Sequence, residues 1–138
     1  MVRCLVIDPS VEKMTVPEVV EIDDFHKFLK EHNPGCRCIG CASRYFNGVP
    51  YDIWHDDEFL FHGGAPSVIT TDYEEIFFGC VVICKVDEET GESTGLSDKD
   101  IRNLLDCPAI VKIAGRETPL WTILRCTVFP PAEEEVSE

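Results

Sequence analysis

Two runs of β-prone residues flank Asn47-Gly48 in the stretch 36–57. Asn-Gly between such runs is typical of a two-residue hairpin turn, because both central residues need positive φ. Pairing the runs about this turn places Phe46 opposite Val49 and sets the register of both arms. One face of the hairpin is then mostly apolar. The other face is mixed, and Ile39, Cys41 and Trp54 form an apolar cluster on it.

Hydrophobic periodicity in the rest of the chain predicts further strands and two helices. Strands are expected over residues 2–7, 15–22, 67–70, 76–86, 109–114 and 119–129. One helix begins after Asp23 or Asp24 and ends at Asn33-Pro34-Gly35, and its apolar stripe is Phe25, Phe28, Leu29 and His32. The second helix begins at a capping box, Ser97 to Asp100. The chain therefore begins ββαββ, and we expect an α+β fold in which two helices pack on a mostly antiparallel sheet.

Pro50 lies early in the second arm of the central hairpin. Proline cannot donate to a β-ladder, so we expect this arm to lie at the edge of the sheet at that end. An edge arm with an aromatic residue on its less apolar face is a candidate contact surface. The candidate interface residues are Trp54, Asp52, Asp56 and Tyr45. The alternative is that a helix or loop covers this face.

The length of 138 residues favours a single domain over residues 1–129, followed by a disordered acidic tail over residues 130–138. The chain has 12 basic and 26 acidic residues, for a formal net charge of −14. Such a field repels nucleic acid and anionic membranes and attracts basic protein surfaces, including those that grip DNA. The alternative is that the charge only keeps the surface solvated. Without an export signal or a long apolar run, we expect a cytoplasmic protein with its cysteines as thiols.

The residues His32, Cys36, Cys38 and Cys41 are a candidate zinc site, since they supply four ligands for tetrahedral coordination. A strand through this segment would point Cys36 and Cys38 to one face and Cys41 to the other, so that one ion could not bind all three. We therefore expect no metal or other cofactor here, with zinc kept as the alternative.

A cluster of polar residues follows the hairpin and leads into a glycine-rich loop. The candidate ligand-binding residues are His55, Asp57, His62, Gly63 and Gly64. With Asp56 and Glu58, the same cluster could supply an acid and a base for a small hydrolase, or could hold a divalent metal ion. No nucleophile motif accompanies it, so we assign no catalytic residue and favour a protein that is not an enzyme.

Several motifs in fixed order resemble a family of small phage, plasmid and conjugative-element proteins that is catalogued as a domain of unknown function. They are LVIDP near the N-terminus, YFNGVPYDIW in the hairpin, Pro66-Ser67, IFFGCVVI with its DEETG loop, and LSDKDI. The resemblance covers most of residues 5–105 and implies a mobile-element context, with no known catalytic residues. The cysteine-rich first hairpin arm and the C-terminal strand and tail depart from the family's pattern.

Three hypotheses follow for the function. The first is an acidic binding protein from a mobile element that modulates a host or defence component by protein–protein contact. The second is a protein that binds or sequesters a small nucleotide-like ligand. The third is a small hydrolase that uses the His/Asp/Glu cluster. Direct nucleic-acid and membrane binding are not expected, and self-association is kept open.

Overall fold

A computed structural model describes residues 2–8, 17–33, 35–58, 66–70, 72, 75–87, 89–111 and 121–129. Within these residues it contains ten strands and two helices. The strands are β1 Val2–Ile7, β2 Glu18–Ile22, β3 Ile39–Phe46, β4 Val49–Asp56, β5 Pro66–Thr70, β6 Ile76–Phe78, β7 Val81–Val86, β8 Ser93–Thr94, β9 Pro108–Val111 and β10 Trp121–Cys126. The helices are α1 Phe25–His32 and α2 Asp98–Leu105. The α+β class is confirmed, since the sheets are mostly antiparallel and the helices pack against them.

The strands form two sheets rather than one. The larger sheet has the order β2-β1-β7-β4-β3. The short strand β8 pairs with Lys85 and Val86, at the C-terminal end of β7. The smaller sheet has the order β6-β5-β10-β9, in which β5 and β10 are parallel and the other neighbours antiparallel.

The main core brings both sheets and α2 together. Leu5, Ile53 and Ile83 of the larger sheet belong to the same buried cluster as Val68 and Leu124 of the smaller sheet. Two residues of α2, Ile101 and Leu104, complete this cluster. A second cluster on the opposite face of the larger sheet contains Cys4, Val82 and Cys84 with Leu29 of α1. The larger sheet is therefore covered on both faces.

The register predicted for the central hairpin is confirmed. Eight residue pairs run from Ile39 opposite Asp56 to Phe46 opposite Val49. Asn47 and Gly48 have φ values of 55° and 79°, as the two-residue turn requires. The apolar face contributes to the main core, and the mixed face packs partly under α1.

The prediction that the second hairpin arm is an edge at the Pro50 end is wrong for the strand as a whole, and holds only for Val49 and Pro50, which lie beyond the ladder with β7. Strand β4 pairs with β3 on one side and with β7 on the other, so the edge of the larger sheet is β3. The ladder between β4 and β7 begins at Tyr51, one residue after Pro50. The missing N–H of Pro50 therefore leaves no bond of that ladder unmade, which explains how an internal strand accommodates the proline.

The prediction of one strand over residues 76–86 is also wrong. The run breaks at Gly79, whose φ is 89°, so that β6 lies in the smaller sheet and β7 in the larger one. The buried side chain of Asn33, which follows α1, fixes this crossing. Its amide donates to the carbonyl of Cys80 at 3.1 Å, and its oxygen accepts from the Cys80 N–H at 2.8 Å. Both strands are apolar, so hydrophobic periodicity alone could not locate the break.

Strand β8 lies in a segment for which no strand was predicted. The second strand, expected over residues 15–22, is described from Glu18 onward. Asp24 caps α1, and the capping box of Ser97 and Asp100 is confirmed. The tail 130–138 lies outside the described residues. The single-domain assignment stays a prediction.

Candidate functional site

His55 and Asp57 meet over Gly40, at the end of the hairpin that is remote from its turn. A Cβ atom placed on Gly40 would lie 2.7 Å from Asp57 Oδ1 and 2.9 Å from His55 Cε1. The imidazole is buried against the ring of Phe77, with 5.0 Å between ring centroids, and its Nδ1 lies 3.0 Å from the carbonyl of Asp56. The glycine thus lets a histidine and a carboxylate approach one strand closely.

The remaining members of the predicted ligand site are His62, Gly63 and Gly64, which lie outside the described residues. Whether they join His55 and Asp57 stays a prediction. Asp56 has a structural role. It is 2% exposed, and its carboxylate accepts a hydrogen bond from the backbone N–H of Glu58 at 2.9 Å. This bond orders the chain where it leaves β4.

The predicted interface residue Asp52 lies in a polar network on the α1 side of the larger sheet. Its carboxylate accepts hydrogen bonds from the hydroxyls of Ser43 at 3.2 Å and Ser93 at 2.9 Å. The Ser93 oxygen in turn accepts from Trp54 Nε1 at 3.3 Å. Asp52 is 7% exposed, and each of its two carboxylate oxygens accepts a hydrogen bond within the protein.

Helix α1 covers part of the Trp54 side chain. The indole contacts the rings of Phe25 and His26, with centroid distances of 5.3 and 6.0 Å. Tyr45, the fourth predicted interface residue, is half-buried, and its backbone exchanges two 2.9 Å hydrogen bonds with Thr127. A contact role for these four residues stays a prediction, but the edge argument that suggested it now applies to β3.

The structure spreads the four candidate zinc ligands over three local environments. His32 Nδ1 lies 2.8 Å from the carbonyl of Phe28, Cys36 and Cys38 precede β3, and Cys41 lies within it. In the described part of the chain, no three His, Cys, Asp or Glu side chains converge in a way that could hold a metal ion. Zinc binding stays the untested alternative.

The thiols of Cys36 and Cys41 have poor thiolate character. Burial, followed by the charge of Asp56, raises the pKa of Cys36 to about 11. Burial, followed by the charges of Asp52 and Cys84, raises the pKa of Cys41 to about 12. A thiol must lose its proton to act as a nucleophile, so neither thiol is activated for that role at neutral pH in the metal-free protein.

Sequence reasoning missed a pair of buried thiols, Cys4 and Cys84. The antiparallel register places Leu5 opposite Ile83, so the two cysteines are neighbours on the α1 face, and both are 0% exposed. A hydrogen bond to Cys84, with burial, raises the pKa of Cys4. Both cysteines lie on predicted strands, but nothing in the sequence indicated that these strands pair.

The outer edge of β3 is one of the two edges of the larger sheet. Tyr45 directs its N–H and C=O outward to Thr127, and the directions of backbone groups alternate along a strand. The backbone groups of Ile39, Cys41 and Ser43 therefore also point away from β4. Within the described ranges they have no ladder partner, since β3 ends the sheet.

Comparison with known proteins leaves the family and function undetermined: no protein-family model, no curated protein and no solved structure matches the chain. The resemblance to mobile-element proteins therefore stays a prediction. None of the helices in the described residues has the length and apolar character needed to span a membrane.

Proposed function

We propose that this chain is an acidic binding protein that takes an extended segment of a basic partner onto the open edge of β3. Following the mobile-element resemblance, the partner is a component of a host or of its defence systems, met in the host cytoplasm. The proposal rests on one observation, the outward backbone groups of Ile39, Cys41 and Ser43. Strand addition uses such groups for affinity and side-chain pockets for specificity.

The two edges of the larger sheet differ in how they are protected. Strand β2, at one edge, follows Pro17 and exposes Glu18 and Glu21, and such residues discourage edge pairing. Strand β3, at the other edge, has neither proline nor a charged residue from Ile39 to Ser43. Each backbone hydrogen bond to an added strand would contribute roughly 0.5–1.5 kcal/mol.

Charge favours a basic occupant of this edge. Asp57 is exposed at one end of β3, where its N–H bonds the carbonyl of Cys38. Asp72 is exposed near the other end, where it accepts from the N–H groups of Val128 and Phe129. The bond from Val128 lowers the pKa of Asp72, which keeps it charged at neutral pH. A second copy of the chain is a poorer occupant, because each copy has a net charge of −14.

The test compares Cys41→Pro with Cys41→Ser. Proline at position 41 removes an outward N–H and leaves the bonds between β3 and β4 in place, whereas serine retains the N–H and removes only the thiol. The probes are two extended peptides, one alternating valine with lysine and the other alternating valine with glutamate. We expect the lysine peptide alone to bind, to slow amide exchange over residues 39–43, and to bind more weakly as salt is added.

The proline variant should lose this binding, and the serine variant should keep it. Circular dichroism establishes that both variants are folded, and Ser43→Pro serves as a second blocking variant if Cys41→Pro is not. Equal binding of the lysine peptide by the proline and serine variants would exclude this edge as the site. A dimer of the unliganded wild type that Cys41→Pro dissociates would identify a second copy as the occupant instead.

A further inference from the structure

A groove separates the hairpin turn from the end of α2 and from β10. It has a volume of about 530 Å³ and is lined by Tyr45, Asn47, Asp106, Cys107, Arg125 and Thr127, together with two neighbouring residues. An adjoining surface groove of about 580 Å³ follows α2 past Lys99, Arg102 and Asn103 and shares Asp106 with the first. Either volume falls in the range of small-molecule sites.

Three cations line these grooves that have no ion-pair partner among the described residues. The described structure pairs Arg3, Arg37 and Arg44 with carboxylates at 2.8–3.3 Å. It shows no such partner for Lys99, Arg102 or Arg125, all of which are exposed. Arg125 lines the first groove, and Lys99 and Arg102 line the adjoining one, so that cations lie on both sides of the shared Asp106.

The walls of the groove are held in place by hydrogen bonds. Asn103 donates to the carbonyl of Phe46 at 3.0 Å and to the hydroxyl of Tyr51 at 3.2 Å, and its oxygen accepts from Asn47 Nδ2 at 3.2 Å. These contacts fix α2 against the hairpin turn. On the opposite wall, the backbone N–H of Arg125 donates to the carbonyl of Cys107 at 2.8 Å. A groove that is already formed loses less entropy on binding.

We propose that these two adjoining grooves together bind a small phosphate-bearing ligand of the nucleotide class, which lies across Asp106. A guanidinium group binds phosphate oxygens through two parallel N–H donors. Arg125 supplies such donors in the first groove and Arg102 in the adjoining one, where Lys99 adds an ammonium group. Asp106 is the carboxylate that both grooves share, and it would accept hydrogen bonds from ribose hydroxyls or a base amino group. A ligand with an anionic end and a neutral hydroxyl-bearing end matches this distribution better than free phosphate does.

The inference is independent of the proposed contact at β3, since Cys41 does not line either groove. It also places the ligand away from His55 and Asp57, which lie at the opposite end of the hairpin from Asn47-Gly48. A Cys41→Pro protein that no longer binds the lysine peptide should therefore bind nucleotide as the wild type does. The two proposals can fail separately.

The experiment is calorimetric titration of the full chain with ADP and, separately, with pyrophosphate. The variant Arg125→Gln removes the guanidinium of the first groove, and Arg102→Gln removes that of the adjoining groove. Arg37→Gln is the matched control, because Arg37 is an exposed arginine near the opposite end of the hairpin, paired with Glu58 at 3.3 Å. We expect ADP to bind, and each groove variant to weaken binding about tenfold while the control changes it less than about twofold.

Three results would overturn the inference. Absence of ADP binding at millimolar concentration would exclude the site. Equal weakening by all three arginine variants would show that only the overall charge matters. Pyrophosphate binding as tightly as ADP would reject the nucleoside part of the assignment. An Asp106→Asn variant that weakens ADP binding and leaves pyrophosphate binding unchanged would support the role given to its carboxylate.

Discussion

The side chain of Asn33 should contribute more to stability than any exposed residue of α1. It is 5% exposed and satisfies both backbone groups of Cys80, a residue that is 1% exposed. Truncation to alanine leaves a buried N–H and a buried C=O without partners, and each such group costs about 1–3 kcal/mol. We expect Asn33→Ala to lower the free energy of unfolding by about 2–4 kcal/mol, a large part of the stability of an ordinary domain.

Equilibrium unfolding in urea measures this loss, and Lys30→Ala provides the control on the exposed side of the same helix. The control should change the free energy of unfolding by less than about 0.5 kcal/mol. Asn33→Asp adds a sharper comparison, because it keeps an acceptor for the Cys80 N–H and sets a second oxygen against the Cys80 carbonyl. The loss in free energy of unfolding that Asn33→Asp causes should become smaller at low pH, where a protonated carboxyl can donate to that carbonyl.

Two outcomes would refute this reasoning. A loss below about 0.5 kcal/mol for Asn33→Ala would mean that water or a backbone shift satisfies Cys80 without the side chain. If the loss in free energy of unfolding caused by Asn33→Asp does not depend on pH, the second oxygen does not face the Cys80 carbonyl. Either result would leave the break between β6 and β7 without its physical cause.

Two further predictions concern the neighbouring turn and the second helix. Gly79→Ala should cost about 1–2 kcal/mol, because its Cβ would lie 2.8 Å from Asn33 Oδ1 at a φ of 89°. Part of this cost should vanish in an Asn33→Ala background, and fully additive losses in urea unfolding would contradict the contact. Asp100→Asn should cost about 1–3 kcal/mol at pH 7. Burial would raise the pKa of Asp100, but hydrogen bonds from Ser97 and Lys85 outweigh it and hold that pKa below its ordinary value. This contribution is present above the unfolded pKa of about 3.9 and is lost as the pH falls through the lower folded pKa, so the unfolding free energies of wild type and variant should converge in acid. If the difference in unfolding free energy between wild type and Asp100→Asn persists in acid, the charge of Asp100 is not the source of the stabilisation.

The candidate sites were only partly accessible to sequence reasoning. The proximity of His55 and Asp57 follows from their separation by one residue, and the strand edge was anticipated but assigned to the wrong arm. The groove was not anticipated, because Arg102 and Arg125 are far apart in the chain and no motif links them. Clusters of this kind are formed by packing between elements, and the pattern of a single sequence does not reveal which elements pack together.

Local chemistry determined much of this fold without reference to the rest of the molecule. The hairpin register follows from Asn47-Gly48, where positive φ is needed at both positions, and the start of α2 follows from the side-chain bonds of Ser97 and Asp100. Only the tertiary structure decided that the chain changes sheets at Gly79, that β3 is an edge, and that Cys4 lies beside Cys84. These features depend on which strands pair, and pairing is governed by burial summed over contacts between segments distant in sequence.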